Sequence, residues 1–189
     1  AALQRVMKFE HMPENVGRSM SVLIQRRLQL LGITEVQVMS ERSKVVSVDA
    51  ACLAVTGGAS WDPLNVMTDN KLALSVMNEG KCFLITTGAD GRYRLSARWI
   101  DAPVPILRSS EYKRLEASTD IGVLSVETGK VVFGAAEDAQ SGVAIDVPNG
   151  MVSVQVHVIS SRRGPKYVLV LCRQQKEVAA LTRIPELQC

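Results

Sequence analysis

From Lys81 onward, short β-rich runs separated by turn-forming residues fill the chain, which leaves little room for anything except a mostly antiparallel β architecture. Cys82 to Thr87 and Arg92 to Ile100 flank Gly88-Ala89-Asp90-Gly91, where glycine accepts positive φ. Gly122 to Val126 and Lys130 to Gly134 flank Glu127-Thr128-Gly129. Val143 to Val147 and Met151 to Ile159 flank Pro148-Asn149-Gly150, and Asn-Gly is the pair that tight hairpin turns prefer. Arg162-Arg163-Gly164-Pro165 then turns into Tyr167 to Leu171. Each pair reads as a hairpin. From Tyr93 to Trp99 the odd positions are apolar and the even ones polar, which predicts one buried face and one wet face.

The earlier residues differ in texture. Val16, Met20, Leu23, Ile24, Leu28 and Leu31 recur at helical spacing, with Pro13 suited to a first helical position and Gly32 to a stop. This predicts one amphipathic helix whose apolar stripe needs a sheet to cover. Glu35 to Ser40 and Lys44 to Val55 are β-rich and predict a hairpin turning at Glu41-Arg42-Ser43. Lys71 to Met77 is too short for periodicity to choose between helix and strand. Ser109 to Leu115 reads as a helical turn or two with a serine cap, and Gln174 to Thr182 as a short helix. The expected class is α+β, with one long N-terminal helix packed on mostly antiparallel β-meanders, as a curled sheet or two packed sheets. A soft boundary near Pro103 divides it into 1–102, the helix and first hairpins, and 103–189, a β-rich second half, the two making one compact unit.

Chemistry is sparse in the same residues. His11 and His157 are far apart, and Cys52, Cys82, Cys172 and Cys189 form no Cys-x-x-Cys pair, so no metal site is expected. Three of the cysteines sit in apolar runs, where they read as buried free thiols of a reducing compartment. No Gly-x-Ser-x-Gly elbow accompanies His157, which alternates with Val156 and Val158 on a strand. Gly57-Gly58-Ala59-Ser60 lacks the lysine of a phosphate loop, so no cofactor is expected. The net charge of +3 is too small to imply nucleic acid, and 8 aromatic residues make a poor base-stacking platform, although Arg162, Arg163, Lys166, Arg173 and Lys176 cluster. No apolar run is long enough to cross a bilayer as a helix, and Ala1 to Val6 lacks a signal core. A cytoplasmic or already processed chain is therefore expected.

The acidic residues are more suggestive. Glu116, Asp120, Glu127, Glu137, Asp138 and Asp146 stand against Lys130 alone between Glu116 and Asn149, at turns and strand ends. Such a rim can steer a basic partner.

Trp99-Ile100, Pro105-Ile106-Leu107, Ser110-Glu111-Tyr112, Gly122 to Val126 and Val131 to Asp138 resemble small bacterial immunity proteins of polymorphic-toxin and contact-dependent secretion systems. The match spans residues 99 to 138. Ala102-Pro103-Val104-Pro105 stands where that family has Gly-Gly-Pro. The resemblance implies a non-enzymatic inhibitor that binds a cognate toxin domain and blocks its active site. Glu116, Asp120, Glu127, Glu137 and Asp138 would be its contacts, with Tyr112 as an aromatic anchor. The alternatives are a nucleic-acid-associated regulator and a structural component of a phage or secretion assembly.

Overall fold

The computed structural model describes residues 37–59, 62–102, 105–138, 141–174 and 180–187. In chain order they form β1 (Gln37–Val48), β2 (Cys52–Thr56), α1 (Pro63–Thr68), α2 (Asn70–Asn78), β3 (Cys82–Thr86) and β4 (Gly91–Asp101). These are followed by α3 (Ser109–Tyr112), β5 (Leu115–Val126), β6 (Lys130–Ala135), β7 (Val143–Asp146), β8 (Gly150–Ile159) and β9 (Lys166–Arg173). A five-stranded sheet runs β1-β4-β9-β8-β5 and a four-stranded sheet runs β3-β2-β6-β7. Among these strands only β4 and β9 pair in parallel.

The expected α+β class with a long helix is corrected. The described residues are mostly strand, and their three helices are all short. The physical reason is that each sheet finds its apolar cover in the other. Leu95, Ala97, Trp99, Leu169, Leu171, Val154 and Val156 from the larger sheet share one buried cluster with Leu53, Val55, Phe83, Val131, Phe133 and Ile145 from the smaller. The stripe at 13–31 lies outside the described residues, as does most of the expected helix at 174–182.

Several expected hairpins are also corrected. β3 and β4 belong to different sheets, and so do β5 and β6, and β7 and β8. Their glycine turns reverse the chain but carry it from one sheet to the other. Among the expected pairs only β8 and β9 are hydrogen-bonded neighbours, while β6 and β7 form a hairpin that the turn signals do not announce. The turn expected at Glu41-Arg42-Ser43 is the middle of β1, whose residues pair continuously with β4 from Ser40 to Val48. The chain turns instead at Asp49–Ala51, where Ala51 has φ of 46°.

Two local features settle the shorter elements. Asp69 accepts hydrogen bonds from the backbone N–H groups of Lys71 (2.8 Å) and Leu72 (3.2 Å), which makes the ambiguous segment a helix, with Ala73 and Met77 buried. Pro185 to Leu187 lies along β3, the outer strand of its sheet, through Thr86 N–H to Pro185 O (3.0 Å) and Leu187 N–H to Thr86 O (2.9 Å). Tyr167 anchors this end by donating its hydroxyl to Leu187 O at 2.8 Å, and its ring meets Tyr93 edge-on at 5.4 Å.

At the crossing from β5 to β6, Gly57 presses on the backbone of β5. A Cβ there would lie 2.1 Å from Ser125 O, while Gly57 O accepts from Glu127 N–H at 2.9 Å. Gly57→Ala is expected to cost about 1–3 kcal/mol, as overpacking against backbone does, measured by urea unfolding. A cost near zero would show that the two sheets are free to shift here.

Candidate functional site

The sheet register determines which side chains share the outer face of the five-stranded sheet. Glu41, Arg98, Val170 and Gln155 stand in one row across β1, β4, β9 and β8. Ser43, Ser96, Val168, His157 and Ser118 form the next row. This is the face that alternation marks as wet, and in its centre it is not. Ser96 and Arg98 are each 1% exposed and His157 is 3% exposed. Residues 105–112 lie across it. Ile106, Leu107 and Tyr112 pack with Ile100, Ile159, Val168, Val170 and Cys172 in a second apolar cluster.

An ion pair fastens this strap. Arg98 donates from Nη1 to Glu111 Oε2 at 2.8 Å and from Nη2 to Glu111 Oε1 at 2.6 Å, a bidentate fork with both side chains buried. Arg108 N–H donates to the same carboxylate at 3.0 Å, and Leu107 N–H donates to the Tyr112 hydroxyl at 3.3 Å. Glu41 reaches Arg98 at 3.5 Å and pairs with the Arg108 guanidinium. Burial pushes the Glu111 carboxyl up, but the Arg98 hydrogen bonds and charge, with the Arg108 N–H, hold it below its ordinary value. Burial drives His157 down to about 3, reinforced by Arg98 and opposed by Glu111, so its ring is neutral. Burial lowers Lys166 as well, against the pull of Glu111.

The residues expected to meet a partner lie elsewhere and apart. Glu116 is exposed near the start of β5 and Glu127 is exposed just beyond its end, more than about 30 Å away at strand rise. Asp120 stands between them, opposite Gln155. Glu137 and Asp138 share one exposed turn after β6, so β6 separates them from Glu127. Glu137 accepts from Asp49 N–H, and Asp138 accepts from Ser141 N–H at 3.3 Å. Tyr112 is half-buried in the strap, and burial raises its hydroxyl. The acidic residues thus form several separate sites, of which Glu137 with Asp138 is the pair brought together.

Arg98, Glu111, Ser96 and Glu41 are absent from the sequence reading of the site. Tyr167 to Cys172 held the usable signal. This unbroken apolar run marks a strand covered on both faces, so polar neighbours on its outer side must be buried too. Cys52 and Cys82 are free thiols and buried, and Cys172 is buried as well. Burial pushes the Cys52 thiol to about 11 and the Cys82 thiol to about 12, so neither ionises near neutral pH. Among the described residues no group of three His, Cys, Asp or Glu could hold a metal ion, and no helix is long and apolar enough to cross a membrane.

These features define a class: a two-sheet β sandwich with a central parallel pair and a strap across its larger sheet. Two solved structures are similar in fold. One is ComJ from Bacillus subtilis, an inhibitor of the DNA-degrading activity of NucA, at 11% identity and a TM-score of 0.51, covering 72% of this chain and 98% of ComJ. The other is the product of crocagin biosynthetic gene J, at 10% identity and a TM-score of 0.52, covering 75% of this chain and 99% of that one. At such identities the likeness is one of fold. No family model and no curated protein matches the chain.

Proposed function

We propose that this chain is an immunity-type inhibitor, without catalysis of its own, that binds a cognate bacterial toxin domain with DNA-degrading activity and covers its active site. The observation that carries this reading is the fold shared with ComJ along almost all of ComJ's length. Glu137 and Asp138 are the leading contacts, because they are exposed, adjacent and held by backbone hydrogen bonds. Carboxylates so fixed complement the lysines and arginines with which a nuclease holds phosphate. Glu116, Asp120 and Glu127 serve a partner broad enough to reach along β5, and Tyr112 serves as anchor where the strap is touched.

The test is co-expression with nucleases encoded beside its gene. One of them should co-purify, and its DNA cleavage should fall to background at equimolar inhibitor. Full cleavage by every such nuclease in the presence of excess inhibitor would overturn the reading. Glu137→Gln with Asp138→Asn keeps both backbone acceptors and removes two charges. The association rate at low salt should then fall roughly two- to tenfold and depend less on ionic strength, as stopped-flow binding would show. An unchanged rate and salt slope would move the contact elsewhere.

A further inference from the structure

The Arg98 cluster holds more hydrogen-bonding capacity than its ion pair uses. Glu111 occupies Nη1 and Nη2, yet Arg98 Nε, Ser96 Oγ and both ring nitrogens of His157 are buried without a partner. Burying such groups without a partner is unfavourable. None of the hydrogen bonds and ion pairs that fasten the strap uses Ser96 or His157.

The surplus groups surround one residue. Val168 has Ser96 directly across on β4 and His157 directly across on β8. Lys166 is the next outward-facing residue along β9, and Arg98 is the next along β4. Arg94 stands opposite Lys166, so Arg94, Arg98, Arg108 and Lys166 outnumber Glu41 and Glu111 in this region. We propose that the ring around Val168 is a binding site for a small carboxylate ligand, which Glu111 closes from within by placing its own carboxylate on Arg98. The planar guanidinium fork matches a carboxylate in two parallel hydrogen bonds, as Glu111 demonstrates. Ser96, Arg98 Nε and the neutral His157 ring supply further donors for a ligand larger than a side chain. A carboxylate that takes Arg98 displaces Glu111 and frees residues 105–112. This site does not depend on the toxin reading, and its ligand is detected without any partner protein.

The experiment uses the full chain with Glu111→Gln, and acetate as the probe against chloride at equal ionic strength. Acetate should raise the thermal midpoint of this variant and shift the Arg98 Nε–H resonance. Half-saturation should come at a concentration at least tenfold lower than in the parent protein. The response should vanish in Arg98→Met/Glu111→Gln and weaken at least threefold when Ser96→Ala and His157→Phe are added to Glu111→Gln. If Glu111→Gln does not fold in chloride, recovery of its native circular dichroism in acetate supports the site and failure to recover overturns it. Equal effects of acetate and chloride on a folded Glu111→Gln, or an acetate response that survives loss of Arg98, also overturn it. Tighter binding of inorganic phosphate than of acetate in the same variant would reject a carboxylate as the ligand class.

Discussion

Arg98→Met should lower the unfolding free energy by about 3–5 kcal/mol, the usual consequence of leaving one member of a buried ion pair alone. Arg98 is 1% and Glu111 7% exposed at the side chain, so solvent does little to screen the carboxylate left behind. A single domain has a margin of only about 5–15 kcal/mol, so the variant should stand near the edge of folding. Most of the loss comes from the stranded charge, not from the missing attraction. Arg98→Met combined with Glu111→Leu should therefore recover most of it, because replacing both partners with apolar groups is often neutral. Urea unfolding of the two single variants and the double variant measures this coupling. A coupling below about 1 kcal/mol, the range of exposed pairs, would show that the strap opens to water.

Acid should destabilise the protein well before ordinary carboxylates titrate. His157 has a folded value near 3 against 6.5 for the free side chain, because burial first and Arg98 second disfavour its cation. Protons therefore bind the unfolded chain and not the native one. The stabilisation is complete above pH 6.5 and falls by about 1.4 kcal/mol per unit as pH drops toward 3. At pH 4.5 the loss should be roughly 2–3 kcal/mol. Glu111 adds to it lower down, since its folded value also lies below the free one and its contribution is lost as the carboxylate protonates. His157→Phe should flatten the profile between pH 6.5 and 4.5 and leave the steeper fall beneath it. Chemical unfolding at half-unit steps would show this, and a parent profile flat down to pH 4.5 would mean that the His157 ring reaches solvent.

Strands were more legible than their partners. The alternation from Tyr93 to Trp99 and the apolar run from Tyr167 to Leu171 both mark strands that exist. What the turns could not reveal is which sheet the chain enters next. Gly88 to Gly91, Glu127 to Gly129 and Pro148 to Gly150 reverse its direction equally well within a sheet or between two sheets about 10 Å apart. The polar residues Glu41-Arg42-Ser43 resemble a turn because β1 lies at the edge of its sheet, where an outer strand carries charges in mid-course. The candidate site was hidden for a related reason. Ser96, Arg98 and His157 alternate like solvent-facing residues, and only the strap, with no strong signal of its own, makes them interior.

The central place of β9 in its sheet has a consequence for how the chain reaches this state. β4 meets β9 across some seventy residues of sequence, and until β9 arrives β1–β4 and β8–β5 are two separate ribbons. Long-range pairing of this kind gives a high contact order, for which folding in milliseconds to seconds is the rule. A ribosome must deliver nearly all of the described residues before the larger sheet can close. Through that interval the apolar strand edges beside β4 and β8 stand open, and nascent or truncated chains ending before Lys166 should be clients for chaperones and seeds for aggregation.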